Sequence, residues 1–72
     1  MSAAANDIPN NFTHGARMQG NNEIVVFATS EEIANYNAVM LAKIKNANTE
    51  TVNTKTGEVT RCWTPLDKEP QA

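Results

Sequence analysis

The sequence is poor in the residues that usually carry chemistry. It has one cysteine, one histidine and one tryptophan among 72 residues. A lone cysteine excludes an intramolecular disulfide and is typical of a protein from a reducing compartment. No cysteine or histidine pair has the spacing of zinc ligands, and no glycine-rich loop follows a strand-like segment. The sequence therefore predicts neither a metal site nor a cofactor site.

The two candidate catalytic side chains lack positioned neighbours. His14 lies between Thr13 and Gly15 in a polar segment, where no second group holds it as a general base. Cys62 follows Arg61, but adjacent strand residues point to opposite faces, which directs the guanidinium away from the sulfur. We expect no catalytic residue and no enzymatic activity.

Long apolar runs are also missing, and charges of one sign do not dominate. No segment approaches the roughly 18 apolar residues of a membrane-spanning helix, and the first residues lack the features of a secretion signal. We expect a cytoplasmic protein that does not enter a membrane. The formal net charge is −2 at pH 7, whereas nucleic-acid-binding proteins usually have a basic excess.

Leucine occurs only at positions 41 and 66, so the apolar core is small. A chain of this length buries only about 60% of its unfolded surface. We expect self-association or a partner protein to contribute to its stability.

Residues 30–46 have the clearest pattern, that of an amphipathic helix. Ser30 is a typical N-cap, and Glu31 and Glu32 suit the positive end of the helix dipole. Apolar residues recur at steps of three and four, which places them on one side of the helix. We expect that side to face the core, and it comprises Ile33, Tyr36, Met40, Leu41, Ile44 and Ala47. Val39 and Tyr36 flank this stripe and are expected to be partly exposed.

Residues 23–29 precede the helix and predict a strand that is apolar on both faces. By alternation, Val25 and Phe27 share one face, and the other face is formed by Ile24, Val26 and Ala28. Such a strand is either central in a covered sheet or in contact with another chain.

Residues 51–55 and 58–63 predict a hairpin around Gly57. The expected register turns one set of side chains toward the helix, namely Val52, Val59 and Trp63. The order strand, helix, strand, strand predicts an α+β fold with one amphipathic helix on a small three-stranded sheet.

Both ends of the chain lack apolar periodicity. We expect residues 1–20 to be a flexible N-terminal tail, residues 21–64 to form the domain, and residues 65–72 to be a mobile C-terminal tail.

The strand–helix–strand order, with Glu58-Val59-Thr60-Arg61 in its last part, resembles small bacteriophage inhibitors of bacterial RNA polymerase. In size and composition the chain is similar to short phage accessory proteins that redirect host machinery. The resemblance implies action by binding and transfers no site residue.

The main functional hypothesis is a non-enzymatic protein-binding module that inhibits or adapts a larger partner, with a homodimer left open. The helix covers only one face of the sheet, so apolar side chains remain on the other face. A partner protein, a second copy or the N-terminal tail with Ile8, Phe12 and Met18 would cover them. The expected anchor is Phe27 with Val25 beside it, and Tyr36 and Val39 on the helix extend the apolar surface.

The alternative hypothesis is a nucleic-acid-binding protein that uses the hairpin of residues 51–63 and the C-terminal end of the helix. Basic side chains near an aromatic ring can bind single strands through phosphate contacts and base stacking. The candidate contacts are Lys43, Lys45, Lys55, Arg61 and Trp63.

Overall fold

The computed structural model describes residues 11–70 of the chain. Its elements, in chain order, are β1 (His14–Met18), β2 (Ile24–Ala28), α1 (Glu31–Lys45), β3 (Thr49–Asn53) and β4 (Val59–Trp63). The four strands form one antiparallel sheet in the order β2-β1-β3-β4. The helix connects β2 to β3 and packs on one face of this sheet. The fold is therefore α+β.

The sheet has four strands, so the prediction of three was wrong in this detail. The additional strand, β1, lies in the segment that the sequence assigned to the flexible tail of residues 1–20. It is a central strand, paired with β2 on one side and with β3 on the other. Its residues, His-Gly-Ala-Arg-Met, include no β-branched side chain, so strand propensity does not reveal it.

Small residues in β1 are required by what packs around them. Ala16 is completely buried in the core under the helix. A Cβ atom on Gly15 would lie 2.6 Å from Cγ2 of Ile24 and 2.9 Å from the carbonyl oxygen of Val26. Since the second of these contacts is with backbone, only glycine fits this position without a shift of β2.

The folded unit extends beyond the expected boundaries of residues 21–64. The backbone N–H of Thr54 donates to the carbonyl of Thr13 (3.0 Å), and the Thr54 hydroxyl donates to the carbonyl of Phe12 (2.8 Å). After β4, Lys43 Nζ donates to the carbonyl of Pro65 (2.9 Å), which ties the following turn to the helix. Residues 1–10 and 71–72, which belong to the predicted tails, lie outside the described residues.

The predicted helix is confirmed, with both ends set by local chemistry. The Ser30 side chain accepts a hydrogen bond from the N–H of Ile33 (3.2 Å). Asn46 ends the helix in the left-handed conformation (φ 53°, ψ 47°), and its N–H donates to the carbonyl of Ala42. Asparagine tolerates this conformation better than most residues.

The side of the helix that faces the sheet differs from the expected one. The buried residues are Ala34, Ala38, Val39, Leu41 and Ala42. Of the predicted core stripe, only Leu41 is buried, whereas Ile33, Tyr36 and Ile44 are exposed. The alanines, at four-residue steps, let the helix axis lie close to the sheet, and this close approach is favoured over burial of the largest side chains.

Hydrogen bonds between side chains and the helix show how close the two layers are. The buried Thr49 hydroxyl of β3 donates to the helix carbonyl of Ala38 (2.6 Å). Two residues further along β3, the buried Thr51 hydroxyl donates to Oδ1 of Asn35 (2.8 Å) and accepts from Nε1 of Trp63 (3.0 Å). The helix-facing side of β3 is thus polar but hydrogen-bonded.

The predicted hairpin exists, but its register differs. Val52 pairs with Val59, and Thr51 pairs with Arg61, with an irregularity between these pairs. Oδ1 of Asn53 accepts hydrogen bonds from the backbone N–H groups of Lys55 (2.8 Å) and Thr56 (3.2 Å). These bonds make the turn wider than the expected two residues. Because Thr51 contacts the helix and neighbours alternate, Val52 and Val59 lie on the opposite face, so only Trp63 faces the helix as predicted.

Candidate functional site

The sheet has one face that α1 does not cover, here called the open face. Paired strand residues share a face, and Gly15 of β1 pairs with Phe27 of β2 and with Val52 of β3. The preceding argument placed Val52 on the side away from the helix. Phe27 therefore lies on the open face, as the sequence hypothesis of a second sheet face requires.

A bulge in β2 changes which residues accompany Phe27. Ala16 pairs with Val26, but Arg17 pairs with Ile24, so the strand gains one residue, Val25. Val26 packs against the core, while Ile24 lies over Gly15 on the open face. The expectation that Ile24 shares a face with Val26 was wrong, because simple alternation does not continue through a bulge.

Val25 and Phe27 are the apolar side chains that β2 leaves accessible. Val25 is 54% exposed and Phe27 is 38% exposed. The ring of Phe12 lies beside that of Phe27, with 6.1 Å between ring centroids, so the two aromatic side chains pack together. Within residues 11–70, β2 is an edge strand, so of the two arrangements expected for this apolar strand, a central position or contact with another chain, the central position is wrong.

An ion pair neutralises the charge on the open face. Arg17 Nε lies 2.9 Å from Oε1 of Glu50, and both side chains are largely buried. A pair with so little contact with water depends on both members, because removal of one leaves an uncompensated charge. The open face is thus only partly accessible among the described residues, because Phe27 is 38% exposed beside this pair whereas Val52 on the same face is buried.

The helix has a second apolar surface, here called the outer stripe, formed by Ile33, Tyr36, Met40 and Ile44. These residues are 48% exposed at Ile33, 46% at Tyr36 and 74% at Ile44, and Met40 is half-buried. Sequence reasoning assigned this stripe to the core and so did not identify it as a surface. The signal that could have revealed it is the row Ala34, Ala38 and Ala42, which marks the side that lies against the sheet.

Val39, expected to be partly exposed and to contact a partner, is completely buried in the core. A buried side chain is not available to a partner while the domain is folded. Tyr36, the other helix residue of that hypothesis, is accessible.

The basic residues of the alternative hypothesis do not gather on one surface. Lys43 and Lys45 lie in the last turn of the helix, next to the start of β3, whereas Lys55 lies in the turn beyond its end. Five strand residues separate these groups by roughly 16 Å. Lys43 also contacts the Pro65 carbonyl.

Trp63, the proposed stacking platform, is buried. Its ring N–H donates to Thr51, and the Arg61 guanidinium carbon lies 4.4 Å from the ring centroid. A base that stacked on this ring would have to displace Arg61 and its cation–π contact. The arrangement is that of a core tryptophan covered by an arginine.

The remaining reactive groups are separate from one another. His14 Nδ1 is hydrogen-bonded to the Thr13 hydroxyl (2.8 Å), and Cys62 is an exposed free thiol on the edge strand β4. Among residues 11–70, no three histidine, cysteine, aspartate or glutamate side chains come together as metal ligands. In the same part of the chain, no helix has the length and apolar character needed to cross a bilayer.

Comparison of the chain with protein-family models, with curated proteins and with solved structures gives no match.

Proposed function

We propose that this chain is a small protein-binding module, without catalytic function, that inhibits or adapts a larger partner protein. A regulator of bacterial host machinery such as transcription, of the kind that phage accessory proteins provide, fits this description. The observation that carries the proposal is the exposure of Val25 and Phe27 on an edge strand, beside the open face of the sheet.

The chemistry of this surface favours a protein partner. Phe27 supplies a rigid aromatic side chain, and aromatic anchors contribute a large share of interface energy. Phe12 packs against this ring, which limits the conformational entropy that the ring loses when a partner covers it. The neutral Arg17–Glu50 pair adds no net field that would attract a polyanion.

Among residues 11–70, the outer edge of β2 has no neighbouring strand and offers a second means of contact. An edge strand has backbone groups that can pair with an added strand. The bulge at Val25 interrupts a regular ladder on this strand, which restricts strand addition to the segment around Phe27. Side-chain contacts by Phe27 and Val25 therefore contribute more to the proposed interface than backbone pairing does.

The nucleic-acid alternative has less support. Its aromatic platform is buried under Arg61, and its lysines lie at opposite ends of β3. Salt distinguishes the two functions, because phosphate contacts weaken steeply as ionic strength rises and an apolar contact does not.

The test is capture of a partner from nuclease-treated bacterial lysate by the tagged full-length chain, at low and high salt. The protein captured by the wild type is then purified, and the affinities of the Phe27→Ser and Leu66→Ser variants for it are measured. Leu66→Ser is the control, because it also replaces an exposed apolar side chain with serine. We expect Phe27→Ser to weaken binding by about 30-fold or more, as for an interface anchor, and Leu66→Ser to leave it unchanged.

Thermal unfolding of both variants separates binding from folding. Equal affinities for wild type and a folded Phe27→Ser variant would remove the open face from the proposal. Binding that disappears with nuclease or at high salt would favour the nucleic-acid function instead.

A further inference from the structure

The outer stripe of α1 needs an explanation separate from the open face, because Ile33, Tyr36 and Ile44 are exposed and only Met40 packs partly against the core. Ile33, Tyr36, Met40 and Ile44 recur at steps of three and four, and at about 100° per residue they fall within one side of the helix. This side points away from the sheet, since the alanines occupy the other. An exposed, continuous apolar patch of this kind is typical of a helix–helix contact.

We infer that the outer stripe is the contact between two copies of this chain, which pack α1 against α1 in antiparallel orientation about a two-fold axis. The inference does not depend on the proposed function, which uses the open face. The occupant is a second copy because the charges along the helix complement those of the same helix when its direction is reversed.

The charges that flank the stripe are Glu32 in the first turn and Lys43 in the last turn. Eleven residues, or about three helical turns, separate the two side chains. Their directions around the helix axis therefore differ by only about 20°, and both lie on the same flank of the stripe. A two-fold axis between antiparallel helices keeps this flank on the same side and reverses the direction. Glu32 of each copy therefore lies near Lys43 of the other.

Parallel packing about a two-fold axis along the helices would place the flank of Glu32 and Lys43 on opposite sides of the contact in the two copies. Neither charge would then have a partner across the contact, and the helix dipoles would repel each other. The charge pattern thus selects the antiparallel arrangement. Lys43 can take part while it donates to the Pro65 carbonyl, because an ammonium group has three donors.

The two isoleucines of the stripe face each other under the same symmetry, while Met40 faces the polar Asn37. A two-fold axis that places Ile33 opposite Ile44 of the second copy crosses the helix midway between these residues. The same axis places Met40 opposite Asn37 of that copy. Tyr36 lies one turn from Met40 and extends the centre of the contact. Two isoleucine pairs then close the ends, and each of them removes the most exposed stripe residue, Ile44, from water.

The size of the stripe determines how strong the dimer can be. The exposed fractions correspond to on the order of 300 Å² of apolar surface per chain, or about 600 Å² for the pair. Stable specific interfaces begin near roughly 1,200 Å². We therefore expect a weak dimer, with a dissociation constant on the order of 10⁻⁴ M, in equilibrium with monomer.

The first test is a charge exchange between two variants of the full-length chain, followed by sedimentation velocity from about 10 µM to 1 mM. Glu32→Lys alone and Lys43→Glu alone each bring like charges together in both flanking pairs, so each should weaken self-association by about three- to tenfold. An equimolar mixture restores opposite charges in both pairs. It should associate within about twofold of the wild type.

Rescue by mixing cannot arise from a change in helix stability, because each chain keeps its own substitution. A mixture that associates no better than the separate variants would overturn the antiparallel arrangement. A wild type that is still monomeric at 1 mM would overturn the dimer itself.

The second test identifies the surface. Ile44→Ser should weaken self-association at least tenfold, while Phe27→Ser, on the open face, should leave it unchanged. Circular dichroism confirms that both variants are folded. If Phe27→Ser abolished the dimer and Ile44→Ser did not, the contact would lie on the open face and the inference would be wrong, whereas the partner-binding function would be unaffected.

Discussion

At the scale of single residues, the Thr51 side chain connects three elements of the domain by hydrogen bonds. It is completely buried, yet its hydroxyl both donates to Asn35 on the helix and accepts from Trp63 on the last strand. One hydroxyl thus connects α1, β3 and β4. Valine has almost the same shape and would seem a natural choice at a buried strand position, so the threonine is explained by these two hydrogen bonds.

Thr51→Val should lower the free energy of unfolding by about 1–3 kcal/mol, because it leaves the buried Trp63 N–H and the Asn35 oxygen without their partner. The measurement is chemical denaturation followed by tryptophan fluorescence. Thr29→Val, at an exposed position before the helix, is the control and should change stability by less than about 0.5 kcal/mol. Equal effects of the two substitutions would show that the network contributes nothing beyond the loss of a hydroxyl.

At the scale of elements, the helix has two apolar sides of different character. Its sheet-facing side consists mainly of alanine and is in direct contact with β3 through the Thr49–Ala38 hydrogen bond. Its outer side has the larger residues. Side-chain size alone therefore identifies the wrong side as the core, since an alanine row buries less area per residue but permits closer packing and a direct hydrogen bond.

Two substitutions on this helix distinguish its sides. Leu41→Ala removes a buried side chain and should cost about 2–5 kcal/mol, whereas Ile44→Ala, on the outer stripe, should cost less than about 0.5 kcal/mol in dilute solution where the chain is monomeric. Thermal or urea unfolding at low micromolar concentration measures both. A large loss for Ile44→Ala would mean that the outer stripe is covered in the monomer.

At the scale of the whole molecule, β1 is the strand through which the sheet is continuous. It is the strand that joins β2 to β3, and its Ala16 lies in the core beneath the helix. Without it, the hairpin of β3 and β4 would not be connected to β2 through any ladder among the described residues. Strand pairing therefore makes β1, from the segment expected to be a tail, part of the same sheet as the predicted domain of residues 21–64.

Ala16→Lys and Gln19→Lys test this point within the segment expected to be a tail. Ala16→Lys forces a long charged side chain into a completely buried position and should cost more than about 3 kcal/mol, which is a large part of the roughly 5 kcal/mol expected for a small domain. Gln19→Lys is at an exposed position and should have little effect. Loss of the cooperative transition in the first variant alone is the expected result, and a stable Ala16→Lys variant would contradict a central β1.

The amino-acid sequence by itself determined the features that depend on neighbours along the chain. Ser30 and Asn46 define the ends of the helix because capping involves backbone groups within four residues. The apolar run of β2 and the turn residues before Gly57 predict a strand and a hairpin for the same reason. Alternation along β2 placed Val26 and Phe27 on opposite faces, but the sequence did not show which of these faces the helix covers.

Only the tertiary structure decided which side of the helix is buried, which segment forms the central strand and where the registers shift. Each of these depends on contacts between residues distant in sequence. Gly15 and Ala16 are weak strand formers, but they alone fit between Ile24 and the helix, and this fit exists only once β2 and α1 are in place. The outer stripe became a surface for the same reason, because the short alanine side chains opposite it allow the helix to lie close enough to β3 for Thr49 to donate to the Ala38 carbonyl.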